Sequence, residues 1–252
     1  MSVSIKSAKE IELMREAGRL LSITHEELGK AIKPGISTYE IDRLGEEIIR
    51  SYGCIPNFLH YNAYPASICT SVNDEVVHGI PSKNRILKEG DIISLDAGLI
   101  YKGYHSDAAR THAVGEVSAE ARRLMDVTKQ CFFEGIKYAK AGNHLHEISA
   151  AIQKFAESNG FGVVRDLVGH GIGTHLHEDP QIPNFKPAGR GLKLRPGMTL
   201  AIEPMITAGH YAVRWLDDDW TVVTKDGSLA SHYENTIVIT EGEPEILTIY
   251  QG

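Results

Sequence analysis

Apolar residues recur at helical spacing in two stretches near the start of the chain. Ile11, Met14, Leu20 and Leu21 form one apolar face, and Ser7 with Glu10 makes a capping box ahead of it. Lys33-Pro34-Gly35 stops that helix. Ser37 and Glu40 repeat the box before Ile41, Leu44, Ile48 and Ile49, and the second helix is predicted to end near Gly53. From Ile55 to Pro81 the chain is rich in Pro, Asn and aromatics, with a short strand expected around Ala66–Val72. The stretches Ile92–Tyr101 and Tyr104–Val114 read as two strands joined by a turn at Lys102-Gly103. Ser118 opens a helical stretch to about Lys140, and Asn143 is predicted to cap another that runs to about Asn159, ended by Gly160 and Gly162. Short strands divided by Gly and Pro follow from about Val163.

Helix, helix, strands is thus followed by helix, helix, strands. This order implies a weak internal duplication, with halves at about 1–115 and 116–252 of one domain. No low-complexity segment or linker separates them.

The chain has 252 residues, 42% of them hydrophobic and 23% charged, and a formal charge of −7. A net negative chain does not attract nucleic acid or anionic lipid by its overall field, so neither is expected as a partner. Three cysteines, Cys54, Cys69 and Cys131, show no zinc-knuckle or redox spacing, which fits a reducing cytoplasm. No signal peptide and no apolar run long enough to span a membrane is legible.

Acids placed where strands should be apolar change the picture. Asp96 lies in ISLDAGLIY and Asp107 in YHSDAART. On one continuous strand they would stand about 36 Å apart, at about 3.3 Å per residue. A two-residue turn at Lys102-Gly103 instead sets Asp107 opposite Gly98, two positions from Asp96 and on the same face. The two carboxylates then become diagonal neighbours, about 7–8 Å apart at the backbone. Like charges at that spacing need a cation or a proton between them. Glu203 in MTLAIEPMI and Glu234 in SHYENTIVI also interrupt apolar runs, where an unpaired carboxylate is costly. The segment GHGIGTHLHEDP (169–180) holds three His among three Gly. Four carboxylates balance two divalent cations, and one neutral imidazole leaves that balance unchanged. An oxygen-rich set of this kind suits Mn²⁺, Fe²⁺, Co²⁺ or Zn²⁺.

NDEVVHGIP around His78, the Asp96/Asp107 hairpin, GHGIG at His170, HEDP at His177, AIEPM at Glu203 and YENTI at Glu234 resemble the type I methionine aminopeptidases, in their short bacterial form. The resemblance covers essentially the whole chain. It implies the pita-bread fold, an α/β (α+β) pseudo-twofold arrangement of duplicated antiparallel sheet with helices on its outer face. It also implies two divalent metal ions, held by Asp96, Asp107, His170, Glu203 and Glu234, with Asp107 and Glu234 bridging. His78 and His177 would contact the substrate and steady the tetrahedral intermediate, and Glu203 would shuttle the proton. Tyr61, Tyr64, Cys69 and Trp220 would line a methionine pocket, with Phe58 and Leu176 beside them. Asn62 and Ala108 depart from the family pattern and leave the metal ligands untouched.

The activity so implied is removal of the N-terminal methionine from nascent polypeptides with a small second residue. The protein would act as a cytoplasmic monomer, at or near the ribosome. The alternatives are an Xaa-Pro peptidase of the same fold and an inactive pita-bread binding module.

Overall fold

The computed structural model describes residues 3–250. Helices α1 (Ala8–Ala31) and α2 (Thr38–Ser51) both begin at the capping boxes read from the sequence, with Ser7 and Ser37 as N-caps. Helix α3 (Ala119–Ile136) starts at Ser118 and ends earlier than expected. After Gly135 the backbone tightens into three-residue turns, Tyr138 N–H to Gly135 carbonyl and Ala139 N–H to Ile136 carbonyl, both at 3.0 Å. Helix α4 (Leu145–Ser158) corrects one expectation, because Asn143 does not cap it. The Asn143 amide turns back to the Tyr138 carbonyl, 3.1 Å away. The free N–H groups of Leu145 and His146 instead donate to the carbonyls of Leu192 and Arg190. A loop from elsewhere in the chain thus satisfies donors that a side chain usually takes.

The described residues form a main sheet of nine strands, paired antiparallel throughout. In chain order they are β1 (Ile55–Pro56), β2 (Ile68–Val72), β3 (Ile92–Tyr101), β4 (Tyr104–Ala113), β5 (Gly169–Gly171), β6 (Glu178–Ile182), β7 (Thr199–Ile202), β8 (Glu234–Val238) and β9 (Glu245–Ile246). The path across the sheet is β1-β3-β4-β8-β7-β5-β6, with β2 also on β3 and β9 also on β8. The central seam joins β4 of the first half to β8 of the second.

Parity along the strands separates two faces. Ile93, Leu95 and Leu99 of β3 pack with Ala17, Leu21 and Leu28 of α1 and Ile41 and Ile49 of α2. In the second half Leu200 and Ile202 of β7 and Ile237 of β8 pack with Leu124 and Phe132 of α3 and Ile148 and Ile152 of α4. The helices therefore cover one face, and residues of opposite parity, Asp96 among them, point to the other. The fold class is the mixed α and antiparallel β arrangement expected.

Phe132 is fully buried, with Phe133 at 5.3 Å and Tyr233 at 5.6 Å between ring centroids. Phe132→Ala should cost about 3–5 kcal/mol, as expected for a large aromatic removed from a packed core. Chemical denaturation of the metal-free protein measures this, and a loss below about 1 kcal/mol would show that the site collapses to fill the space.

Candidate metal centre

The β3–β4 hairpin turns at Lys102 and Gly103, both with positive φ (49° and 85°), the geometry of a two-residue turn that matches strand twist. Its register sets Gly98 opposite Asp107 and Asp96 opposite Ala109. The diagonal pair expected from the sequence is the pair observed.

Long-range pairing then extends the row. Glu234 of β8 lies opposite Ala109 of β4. One step beyond the Asn235–Ile202 pair, the same register brings Glu203 beside Glu234. His170 of β5 lies opposite Ala201, two residues from Glu203. Because side chains alternate along a strand, all five groups project from the face opposite the helices. Asp96, Asp107, His170, Glu203 and Glu234 all line one cavity of about 260 Å³.

Within that cavity the ligand atoms of Asp107, His170 and Glu234 lie within 4.8 Å of one another. The His170 Nε2 is 3.8 Å from Asp107 Oδ2 and 3.7 Å from Glu203 Oε1. These separations are too long for hydrogen bonds. They match two atoms that share a cation, given bonds of about 2.0–2.2 Å to each. The His170 Nδ1 contacts the Gly171 carbonyl at 2.9 Å. A proton on Nδ1 makes that contact a hydrogen bond and leaves the Nε2 lone pair facing the acids. Asp96 Oδ1, Asp107 Oδ1 and Glu234 Oε1 are buried without a hydrogen-bond partner, so the donor set fits a cation.

The electrostatics agree. Burial pushes the Asp96 carboxyl up to about 7. Burial and then the neighbouring Asp96 raise Asp107, burial and then Asp96 raise Glu203, and burial and then Asp107 raise Glu234. Burial, followed by the nearby His177, holds His170 down to about 3, so its imidazole is neutral and free to ligate.

The remaining residues singled out from the sequence line the same cavity. His78 follows the short strand Glu75–Val77 in a left-handed conformation (φ 60°), and its ring stands 6.1 Å from that of Trp220. Burial and then His177 lower it to about 4, leaving it a neutral donor. His177 is exposed at the rim, with the Tyr61 hydroxyl 2.7 Å from its Nδ1 and its ring centroid 4.3 Å from that of His170. Phe58, Tyr64, Cys69 and Leu176 are buried together, with Tyr61 and Trp220 packed against them. Tyr64 meets Trp220 edge-on at 5.0 Å and donates its hydroxyl to the Gly79 carbonyl at 2.9 Å. Cys69 pairs directly with Asp96 across β2 and β3, so this apolar wall borders the carboxylates.

Sequence reading missed several supports of the site. His232 is buried with Nε2 3.7 Å from Glu203 Oε2. It ends a separate short strand, Ala230–His232, two residues before Glu234, and that nearness in sequence was the available signal. The Thr236 hydroxyl accepts from the Asp107 N–H and donates to its carbonyl, and the Asn184 amide donates to the Glu203 carbonyl. Arg110 donates to the Glu234 carbonyl and to the Asn235 side chain from behind the sheet. No motif in the sequence distinguishes these three.

Residues 12–241 match metallopeptidase family M24. A methionine aminopeptidase of Clostridium acetobutylicum is 57% identical over 98% of this chain and 99% of its own. Methionine aminopeptidase 1 of Bacillus subtilis is 52% identical over 96% of this chain and 98% of its own. Among solved structures, a methionine aminopeptidase from Thermotoga maritima superposes with a TM-score of 0.96 at 46% identity, covering 98% of this chain and 100% of that one. The Xaa-Pro dipeptidase of Bacillus anthracis is more distant, with a TM-score of 0.79 at 26% identity, and this chain covers 61% of it. Sequence and fold agree that the chain belongs to metallopeptidase family M24, and within that family to the methionine aminopeptidases.

Proposed function

We propose that the protein hydrolyses the N-terminal methionine from polypeptides whose second residue is small, using two divalent ions held by Asp96, Asp107, His170, Glu203 and Glu234. One observation carries this reading: the cavity that gathers the five ligands continues into an aromatic and sulfur-bearing wall of Tyr64, Cys69 and Trp220. A methionine thioether is suited to such a wall. Mn²⁺, Fe²⁺, Co²⁺ and Zn²⁺ all suit the donor set.

Bound there, the ions supply a water of lowered pKa and polarise the scissile carbonyl. Asp107 and Glu234, on neighbouring strands across the central seam, would be the ligands shared by both ions. Glu203 takes the proton released at its carboxylate as water attacks, then delivers it to the departing amine nitrogen. Neutral His78 and His177 donate ring N–H groups to the substrate backbone and to the oxyanion as it forms. Tyr61 steadies His177 at the rim, and Phe58 and Leu176 close the base of the pocket. The wider reading is of one catalytic domain with halves at about 1–115 and 116–252, each with its own helix-backed core. It acts as a cytoplasmic monomer on nascent chains, at or near the ribosome.

Purified protein given Mn²⁺ or Co²⁺ is expected to release methionine from Met-Ala-Ser and to stop when a strong chelator is added. Turnover of an Xaa-Pro peptide alone would move the assignment to the proline-directed branch. No turnover with any of the four metals would favour a binding module.

A further inference from the structure

His177 rides on residues 173–178, the loop between β5 and β6 together with the first residue of β6, and that segment is held from outside the cavity. Glu178 closes it by accepting the His175 N–H with Oε1 at 3.2 Å. Its Oε2 takes the Lys6 ammonium at 2.5 Å and the Ser4 hydroxyl at 2.6 Å, and Lys6 also donates to Ser4. The Lys6 side chain is only 5% exposed and that of Glu178 13%, although 172 positions separate the two residues. The end of the Lys6 chain lies flat on Gly173, where a Cβ would come within 2.3 Å of Lys6 Cε. Lys6 is itself anchored. Its N–H donates to the Gly197 carbonyl at 2.8 Å, and the next residue, Ser7, is the N-cap of α1.

A buried ion pair is weak evidence of net stabilisation, because desolvation offsets the attraction. It does fix geometry. His177 stands at the exposed rim, its ring against those of His170 and Tyr61 at 4.3 and 5.3 Å and bonded to the Tyr61 hydroxyl. Whether the ring can reach those partners depends on where the backbone of the segment carries it.

We propose that Lys6 is a positioning residue for His177: through Glu178 it fixes loop 173–178 and so holds the His177 ring over the carboxylate cluster. This rests on the substrate-contacting role given to His177 above. A Lys6→Met change leaves Glu178 buried without its cation, and the loop opens.

The test is a double-mutant cycle in the Mn²⁺-loaded protein, with Lys6→Met, His177→Ala and their combination, and Met-Ala-Ser as substrate. His177→Ala is expected to lower kcat about 100-fold or more and Lys6→Met about 10-fold, with KM within about twofold. The double variant should be no worse than His177→Ala alone, since residues acting as a unit are not additive. In the metal-free protein, Lys6→Met should speed amide hydrogen exchange within 173–178. Should Lys6→Met fail to fold, Glu178→Gln runs the same cycle.

Losses that multiply in the double variant, or unchanged kcat in Lys6→Met, overturn the positioning role while leaving the function intact. Wild-type kcat in His177→Ala would overturn this inference together with the role proposed for His177.

Discussion

Asp107→Ala should lower kcat/KM by at least about 1,000-fold and leave the protein unable to hold two ions. The expectation follows from where Asp107 sits. Its ligand oxygen lies within 4.8 Å of the His170 ring nitrogen and of the Glu234 carboxylate oxygen, at the seam where the two halves of the sheet meet. Truncation removes one of four charges that would offset the cations, from a position diagonal to both Asp96 and Glu234 in the sheet. Asp107→Asn is the sharper control, because it keeps the shape and removes only the charge. Metal content of the purified variants, alongside kcat, gives the answer. Two bound ions and near-normal turnover in either variant would end the proposed bridging role.

The same centre predicts a pH effect on loading. Burial raises the pKa of all four acids, with Asp96 reaching about 7, so in the metal-free protein they bind protons more readily than free carboxyls do. Metal binding needs the anions, hence it releases protons, and affinity falls as pH drops through about 7. The lowered His170 does not oppose this, since it is already neutral across that range.

Glu203→Gln carries the second large effect. Glu203 combines proximity to His170 on one oxygen with proximity to buried His232 on the other, at 3.7 Å each. Glutamine keeps an oxygen that can still ligate but cannot carry a proton from water to the leaving amine. The expected result is a fall in kcat of about 100- to 10,000-fold with KM nearly unchanged. Metal content should stay close to normal. A rise in KM at constant kcat would instead mark Glu203 as a binding group, and a parallel loss of metal would assign it to ligation alone.

How far the sequence carried the reading can be seen residue by residue. Both capping boxes and the Asp96/Asp107 hairpin depend on interactions a few residues apart, and they stand as read. The start of α4 was misread at Asn143 because the carbonyls that serve its first N–H groups come from residues 190 and 192. His232 escaped notice because it lies on a separate short strand, Ala230–His232, and its approach to Glu203 is set by tertiary packing. Nothing near Lys6 in sequence betrays a partner 172 positions away.

The sequence by itself determined the diagonal placement of Asp96 and Asp107 and the turn that folds them together, because turn chemistry and strand alternation are local, and it marked His170, Glu203 and Glu234 as candidates to join them. Only the tertiary structure decided that β4 meets β8 and that β7 sets Glu203, the residue after it, beside Glu234 and positions β5. Those pairings form when the apolar faces beneath them are buried against α1–α4. The driving force for that burial is non-directional, so no short motif records which strands it brings together. The cation site is a consequence of packing on the opposite side of the sheet.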